Sequence, residues 1–355
     1  GKLYLGGIAT DKEGTIIDCR DDAKAEFHFQ KVLEIDDSHF HAYYNLAKIK
    51  SEAAKTKEAE TFLKKAISLN PEYSKAHFLI AHVFEETKRV SLAEKHFELS
   101  IKFFKENAIA HYRLGVMKYH DGEFEKSLTH LKKSAEINPQ HAESNFYIAM
   151  ILRSDEDASL AKKHFYKALE LNPEYSLAYF ELGNHSVANG DLNEAKLHFQ
   201  KASDLDQNFV LAYFHLAKIL TNPSEYDQAY RNYETALEIK PDLSDCHYWF
   251  AKLLASGEKL KTDGSLIKEP EIGRAKDHLS KAIKINKEFS KAYFKLGLLL
   301  VEDGDYVDAM RNFESAITYN KDFAEAHYQI ALLLMDEKAS KTLSKTKPKR
   351  AKSLK

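Results

Sequence analysis

Histidine is the residue type whose placement in this chain most invites chemistry. Of the 17 histidines, His28, His96, His130, His164, His198 and His278 fall at one recurring place in the sequence. A column of imidazoles is a pattern that could hold metal ions. A metal centre, however, needs its nitrogens converging at about 2 Å, whereas equivalent side chains on successive packed helices stand on the order of 10 Å apart. The column therefore reads as half-polar aromatics, not as a ligand set. His77, His111, His247 and His327 share a second recurring place and read the same way. His39 and His41 flank Phe40 beside Asp36 and Asp37, where a weak metal site is the one metal reading left open.

The other chemistry-bearing residues point away from catalysis. Cys19 and Cys246 are the only two cysteines, too few for a disulfide framework or a metal knuckle, so a reducing compartment is the default. Cys246 stands where neighbouring units carry a small alanine and reads as packed core. Cys19 is expected to be exposed, with nothing beside it to activate the thiol. There is no Gly-rich phosphate loop, nucleophile elbow or HExxH pair. The sequon Asn184-His185-Ser186 falls within a helical pattern, with no export signal before it. No catalytic, cofactor or metal residue is assigned, and a non-enzymatic protein is expected.

What positions these residues is a repeat. The strings HAYYNLA, KAHFLIA, IAHYRLG, LAYFELG and KAYFKLG are variants of one theme. Their small third-position residues (Ala42, Ala76, Ala110, Ser144, Ala178, Ala212, Cys246, Ala292 and Ala326) are separated by steps of 34 residues, with a single step of 46. Each unit reads as two amphipathic helices. In residues 176–209, Tyr179, Phe180, Leu182, Gly183 and Val187 form one stripe, with Gly183 small enough for close helix approach. Asn189-Gly190-Asp191 then turns the chain, and Ala195, Phe199, Ala202 and Leu205 form the second stripe. Pro71, Pro139, Pro173 and Pro241 stop second helices, since proline cannot donate a helical N–H. A lone hairpin cannot bury both stripes; stacked neighbours can.

These residues resemble the tetratricopeptide repeat, which carries an aromatic or similar residue at position 4, Leu at 7, Gly or Ala at 8, Ala at 20, an aromatic at 24, Ala at 27 and Pro at 32. Residues 142–175 place Asn145, Ile148, Ala149, Ala161, Phe165, Ala168 and Pro173 there. Residues 290–323 place Tyr293, Leu296, Gly297, Ala309, Phe313, Ala316 and, departing from the pattern, Lys321. The resemblance covers residues 20 to 338. It implies an all-α, right-handed superhelical solenoid of about nine helix-turn-helix units, with first helices lining a concave groove.

The long step reflects about 12 extra residues, around 258–269. Asp263-Gly264 between two short alternating segments favours a projecting loop or β-hairpin. The N-terminal segment aligns to this region without gaps, Gly1 opposite Ala251 and Ala25 opposite Ala275. Residues 1–39 thus read as a partial repeat with its own insertion, followed by the array over 40–338. Gly1 would then sit mid-helix, and the chain is expected to belong to a longer array.

Groove positions 2, 5, 6, 9, 12 and 13 carry whatever specificity exists. Position 5 is aromatic in every unit, Tyr44 to Tyr328, and reads as packing. Its lack of Lys argues against a chaperone-type carboxylate clamp. Nor is there an asparagine ladder at position 6, as in the glycosyltransferase arrays this resembles, where only Asn45 stands. Arg113, Val116, Tyr119, Tyr147, Met150 and Arg153 are of types enriched in binding hot spots. Trp249, the only tryptophan, stands near Lys252 and Lys295, either as an exposed anchor or as filler of a helix interface. A peptide groove centred on Arg113 and Tyr147, with a second contact at Trp249, is the expectation.

Charge sets the remaining limits. The formal net charge is −2, but residues 338–355 hold eight Lys or Arg and no acid, so an acidic body carries a basic arm. Residues 339–355 are expected to be disordered alone. The arm reads as a solvating end, a contact for nucleic acid or an acidic partner, or a nuclear-import stretch. No membrane span or signal peptide is legible, which points to the cytoplasm, or the nucleus through the arm. The leading reading is an interaction scaffold holding a protein or peptide; the alternative is a substrate-presenting repeat region of a larger enzyme such as a glycosyltransferase.

Overall fold

The computed structural model describes residues 8–10, 16–18, 21–153, 158–261 and 263–346. Gly1 and Cys19 lie outside the described residues. The chain falls into two units, Gly1–Pro173 and Glu174–Lys355. In the first, strands β1 (Ile8–Thr10) and β2 (Ile16–Asp18) precede helix α1 (Asp22–Ile35). Four hairpins follow: α2 (Phe40–Glu52) with α3 (Thr56–Leu69), α4 (Ser74–Glu86) with α5 (Val90–Phe103), α6 (Ala108–His120) with α7 (Phe124–Ile137), and α8 (Ala142–Leu152) with α9 (Ala158–Leu171). In the second unit, α10 (Ser176–Ala188) pairs with α11 (Leu192–Leu205), and α12 (Val210–Ile219) with α13 (Tyr226–Ile239). Next, α14 (Ser244–Ser256) meets α15 (Ile272–Ile285) across strands β3 (Glu258–Leu260) and β4 (Leu266–Lys268). Last come α16 (Ser290–Glu302) with α17 (Tyr306–Tyr319), and α18 (Ala324–Met335) with α19 (Glu337–Thr346).

The second helix of each of the eight hairpins from α2–α3 to α16–α17 buries one triple at spacing i, i+4, i+7. Ala59, Leu63 and Ala66 begin the series, Ala195, Phe199 and Ala202 continue it, and Ala309, Phe313 and Ala316 end it, all fully buried. That spacing keeps three side chains on one face of a 3.6-residue helix. Small residues at both ends let the first helix approach, and the large central one fills the gap; burying a phenylalanine there contributes roughly 2–3 kcal/mol. The facing position on the first helix is always glycine or alanine. A Cβ on Gly183 would come within 2.5 Å of the Phe199 ring, and one on Gly297 within 2.6 Å of Phe313.

One turn geometry joins the helices in five hairpins. Ala54, Lys88, Gly122, Gly190 and Gly304 all occupy the same repeat position and have φ between 57° and 79°. The second helices stop in one extended geometry with or without a proline: Asn70 before Pro71 has φ −136° and ψ 92°, and Phe104 before Lys105 has φ −143° and ψ 92°. Proline is compatible with that stop.

Residues 258–269 form an antiparallel β-hairpin in which Glu258 pairs with Lys268 and Leu260 with Leu266. Its base is closed: Glu269 N–H donates to the Gly257 carbonyl and Glu271 N–H to that of Leu254, both at 2.9 Å. The N-terminal strands repeat the register 250 positions earlier, Ile8 pairing with Asp18 and Thr10 with Ile16. The expected second insertion is therefore a hairpin of the same pattern.

The C-terminal end differs from the expectation. The first part of the segment 339–355 is helical in α19, not disordered. Asp336 accepts from the Ala339 N–H at 2.7 Å, capping the helix. Ala339 is fully buried in a cluster with Phe313 and Leu333. One small residue at the right register recruits the helix despite its many lysines. Residues 347–355 lie outside the described residues.

Candidate partner-binding site

Positions 4 and 5 of the first helices α2 to α16 face inward in different ways, whereas in α18 His327 and Tyr328 are exposed. The position-4 histidines pair with the histidine column across their own hairpin: His77 Nδ1 lies 3.0 Å from His96 Nδ1, His111 Nδ1 3.1 Å from His130 Nδ1, and His247 Nδ1 2.8 Å from His278 Nδ1. The Nε2 atoms of His77, His111 and His247 lie 2.9, 3.2 and 3.0 Å from the carbonyls of Pro71, Lys105 and Pro241. Only an N–H can donate to a carbonyl, so each of these rings carries its proton on Nε2, and its Nδ1 accepts from the partner's Nδ1–H. Burial holds His96, His130 and His278 down to about 4, reinforced by the neighbouring ring in each pair. His164 meets Asn145 Oδ1 at 3.1 Å in the same place. Sequence spacing gave no sign of these pairs, because the two members stand 19 or 31 residues apart and belong to different columns.

His39 caps α2 by accepting from the Ala42 N–H at 3.2 Å, and His41 Nδ1 lies 3.3 Å from the Tyr73 hydroxyl. Among the described residues, no group of three or more His, Cys, Asp or Glu could hold a metal ion. Cys246 is fully buried with Sγ 3.8 Å from the Tyr233 carbonyl, and burial pushes its thiol up to about 12. No thiolate nucleophile is available there.

The position-5 aromatics pack on the residue that opens the next hairpin. Tyr44 meets Tyr73 at 5.2 Å, Tyr112 meets His141 at 4.5 Å, Phe180 meets Phe209 at 5.0 Å and Phe294 meets Phe323 at 4.9 Å between ring centroids. These rings thus pack between successive hairpins.

In the first unit, α6 supplies Arg113, Val116 and Tyr119, and α8 supplies Tyr147 and Met150, with Arg153 at its C-cap. The Tyr119 and Tyr147 rings meet edge to face at 5.5 Å, and Tyr147 meets Tyr112 at 6.1 Å. The Arg113 guanidinium lies 5.8 Å from the Tyr112 ring and 3.8 Å from Glu85 Oε1. Its Nε is the one buried side-chain nitrogen or oxygen among the described residues with no hydrogen-bond partner. Met150 is half-buried and Arg153 exposed.

In the second unit, Trp249 is half-buried beside Tyr248. It stands between the two expectations, neither sealed in an interface nor fully open. Lys252 Nζ lies 4.2 Å from its ring centroid and Lys218 Nζ 5.0 Å. Burial lowers the affinity of Lys252 for its proton, and Lys295, Lys218 and Lys291 add repulsion. Trp249, Lys252 and Lys295 are thus brought together as expected. Lys218 and Lys291, missed by sequence reading, complete the group from positions 9 and 2 of the adjoining units. A cavity of about 420 Å³ opens here, walled by Tyr248, Trp249, Phe289, Phe294 and Phe323, with Lys252 and Lys291 at its lining.

The helical-hairpin repeat defines the class of protein, and the comparisons agree. Residues 40–73, 142–175, 210–243 and 290–323 match the tetratricopeptide repeat family model. The chain is a tetratricopeptide-repeat protein. A comparison with curated proteins gives no match. Among solved structures, pilF of Pseudomonas aeruginosa aligns over 61% of this chain and 98% of its own, at 17% identity and a TM-score of 0.54. The APC/C hetero-tetramer Cut9-Hcn1 aligns over 87% of this chain and 58% of its own, at 14% identity and a TM-score of 0.51. YrrB, described as a TPR protein with an unusual peptide-binding site, covers 52% of this chain and 95% of its own at 23% identity and a TM-score of 0.47. At these identities the likeness speaks for the fold alone. Among the described residues, no helix is long and apolar enough to cross a membrane.

Proposed function

We propose that the chain is a non-catalytic scaffold that binds a protein or peptide partner along its first helices. The observation that carries this reading is the Arg113–Tyr112–Tyr147–Tyr119 cluster. It combines aromatic area with an arginine whose Nε is buried and unbonded. Leaving such a donor unpaired costs roughly 1–3 kcal/mol, and the side chain, 41% exposed as a whole, is open to a partner's acceptor. Aromatic and arginine side chains of this kind carry most of the binding energy in protein interfaces.

The test is affinity capture with the full chain as bait, followed by mass spectrometry. Partners held by this surface should fall at least tenfold in yield with Arg113→Ala/Tyr147→Ala, while far-UV circular dichroism stays unchanged. An unaltered set of partners at unaltered yield would refute the assignment of this surface.

A further inference from the structure

Lysines in this chain that approach the interior are matched with carboxylates. Lys50 holds Glu26 at 2.5 Å and Glu58 at 3.3 Å, and Lys118 is bonded by both Glu94 and Glu123. Around Trp249 the lysines lie at the surface instead: Lys218, Lys252 and Lys291 are exposed and Lys295 is half-buried. Lys218, Lys252, Lys291 and Lys295 come from three first helices, α12, α14 and α16, and none has a carboxylate within ion-pair distance. Like charges gathered together are unfavourable, and Asp245 and Glu325 beside the cavity set two carboxylates against four lysines, so the patch stays net positive. Five aromatic rings wall the adjoining cavity of about 420 Å³. That volume suits one large apolar side chain, not an extended ligand.

We propose that this pocket on the second unit binds an acidic peptide segment, its Asp or Glu side chains on the four lysines and one aromatic or large aliphatic side chain in the cavity. This names the partner chemistry for a second contact of the scaffold and rests on the scaffold reading. A peptide accounts for the surroundings better than a nucleic acid does. Bases bind such surfaces by stacking on an open aromatic ring, but Lys218 and Lys252 both lie over the Trp249 ring. Asp245 and Glu325 also line the cavity; they repel carboxylate and phosphate alike, so the segment's acids belong on the lysines while its N–H groups can donate to these two. The lysines are spread over three helices, so they match several carboxylates along a segment better than a single terminal carboxylate.

Trp249 is the only tryptophan among 19 tyrosines, so fluorescence of the full chain excited beyond the tyrosine absorption band reports on this pocket. The probe is a capped heptapeptide of alternating Glu and Asp with a central Phe, and its controls are the Gln/Asn isostere and single-stranded oligouridylate. The acidic peptide should shift the emission saturably, with an affinity that falls as salt rises. Lys252→Glu/Lys295→Glu should weaken it at least tenfold, and Lys252→Gln/Lys295→Gln by less, with the circular dichroism spectrum retained. The proposal is overturned if the isostere binds as tightly, if oligouridylate binds more tightly than the peptide, or if charge reversal has no effect on a folded chain. Arg113→Ala/Tyr147→Ala should leave this titration unchanged. A failure here with partner capture still dependent on Arg113 would remove the acidic specificity and leave the scaffold standing. A positive titration with capture indifferent to Arg113 would do the reverse.

Discussion

The histidine pairs are the clearest case in which one residue's environment has a measurable consequence. In each pair one ring donates its Nε2–H to a backbone carbonyl and accepts at Nδ1 from the other ring, so the accepting ring must stay neutral, and burial opposes a charge on its partner. His96, His130 and His278 titrate at about 4 in the folded chain, below the ordinary 6.5 or so that they regain on unfolding. The unfolded chain therefore binds protons that the folded one refuses. The stability they confer is complete above about 6.5 and is lost as pH falls toward 4. Thermal melts followed by circular dichroism should show Tm falling across that window. The fall should be shallower in His77→Tyr/His247→Tyr, which copies Tyr179 facing His198 in another hairpin. An unchanged slope would show that carboxylates, not these pairs, set the acid limit. The column itself was legible from its 34-residue step, and so was its unsuitability as a shared metal site. Its true partner was not, because pairing across a hairpin depends on which faces of two helices meet, and a spacing within one column carries no trace of that.

At the level of the element, the hairpin was almost wholly readable. The stripes, the stops of the second helices, the glycine facing Phe199 and the inserted β-hairpin all follow from side-chain size and backbone freedom. The C-terminal helix was harder. Its lysine-rich composition pointed to disorder, and only Asp336 with Ala339 three residues later signalled a cap and a buried contact. Another legible point concerns the turns. Three of the five left-handed turn residues are glycine, but Ala54 and Lys88 adopt φ 57° and 58° at the same place, a conformation costing L residues roughly 1–2 kcal/mol. Lys88→Gly should raise stability by about 0.5–1 kcal/mol after allowing for the freer unfolded chain. Chemical denaturation of the variant would measure it, and a loss of stability would mean that the lysine side chain holds something else in place.

Across the whole molecule, stability in a repeat array is a sum of units and nearest-neighbour interfaces. Local edits should therefore remain local. The β-hairpin between α14 and α15 offers a direct check, since its removal should restore an ordinary unit. Replacing residues 257–270 by Asp-Gly, the pair found at Asp121 and Gly122 in a regular turn, gives a step of 34 in place of 46. The variant should keep its helical spectrum and lose no more than about 1 kcal/mol, the scale of a modest change in loop closure. A collapse of the helical signal would show that the hairpin supports the stack.

The closed base of that hairpin has one more consequence. Gly257 must take φ 57°, and a Cβ on it would lie 2.4 Å from the backbone of Glu269 and Pro270, so departing and returning chain touch at a single clamp. Beyond the clamp β3 leans on α13, with Lys259 Nζ 6.0 Å from the Tyr226 ring centroid, but the tip residues Lys261, Asp263, Gly264 and Ser265 are exposed. The position is thus a natural port: a foreign epitope, a fluorophore or a whole small domain spliced between Lys261 and Ser265 would be carried as cargo. Its length would enter the free energy only logarithmically.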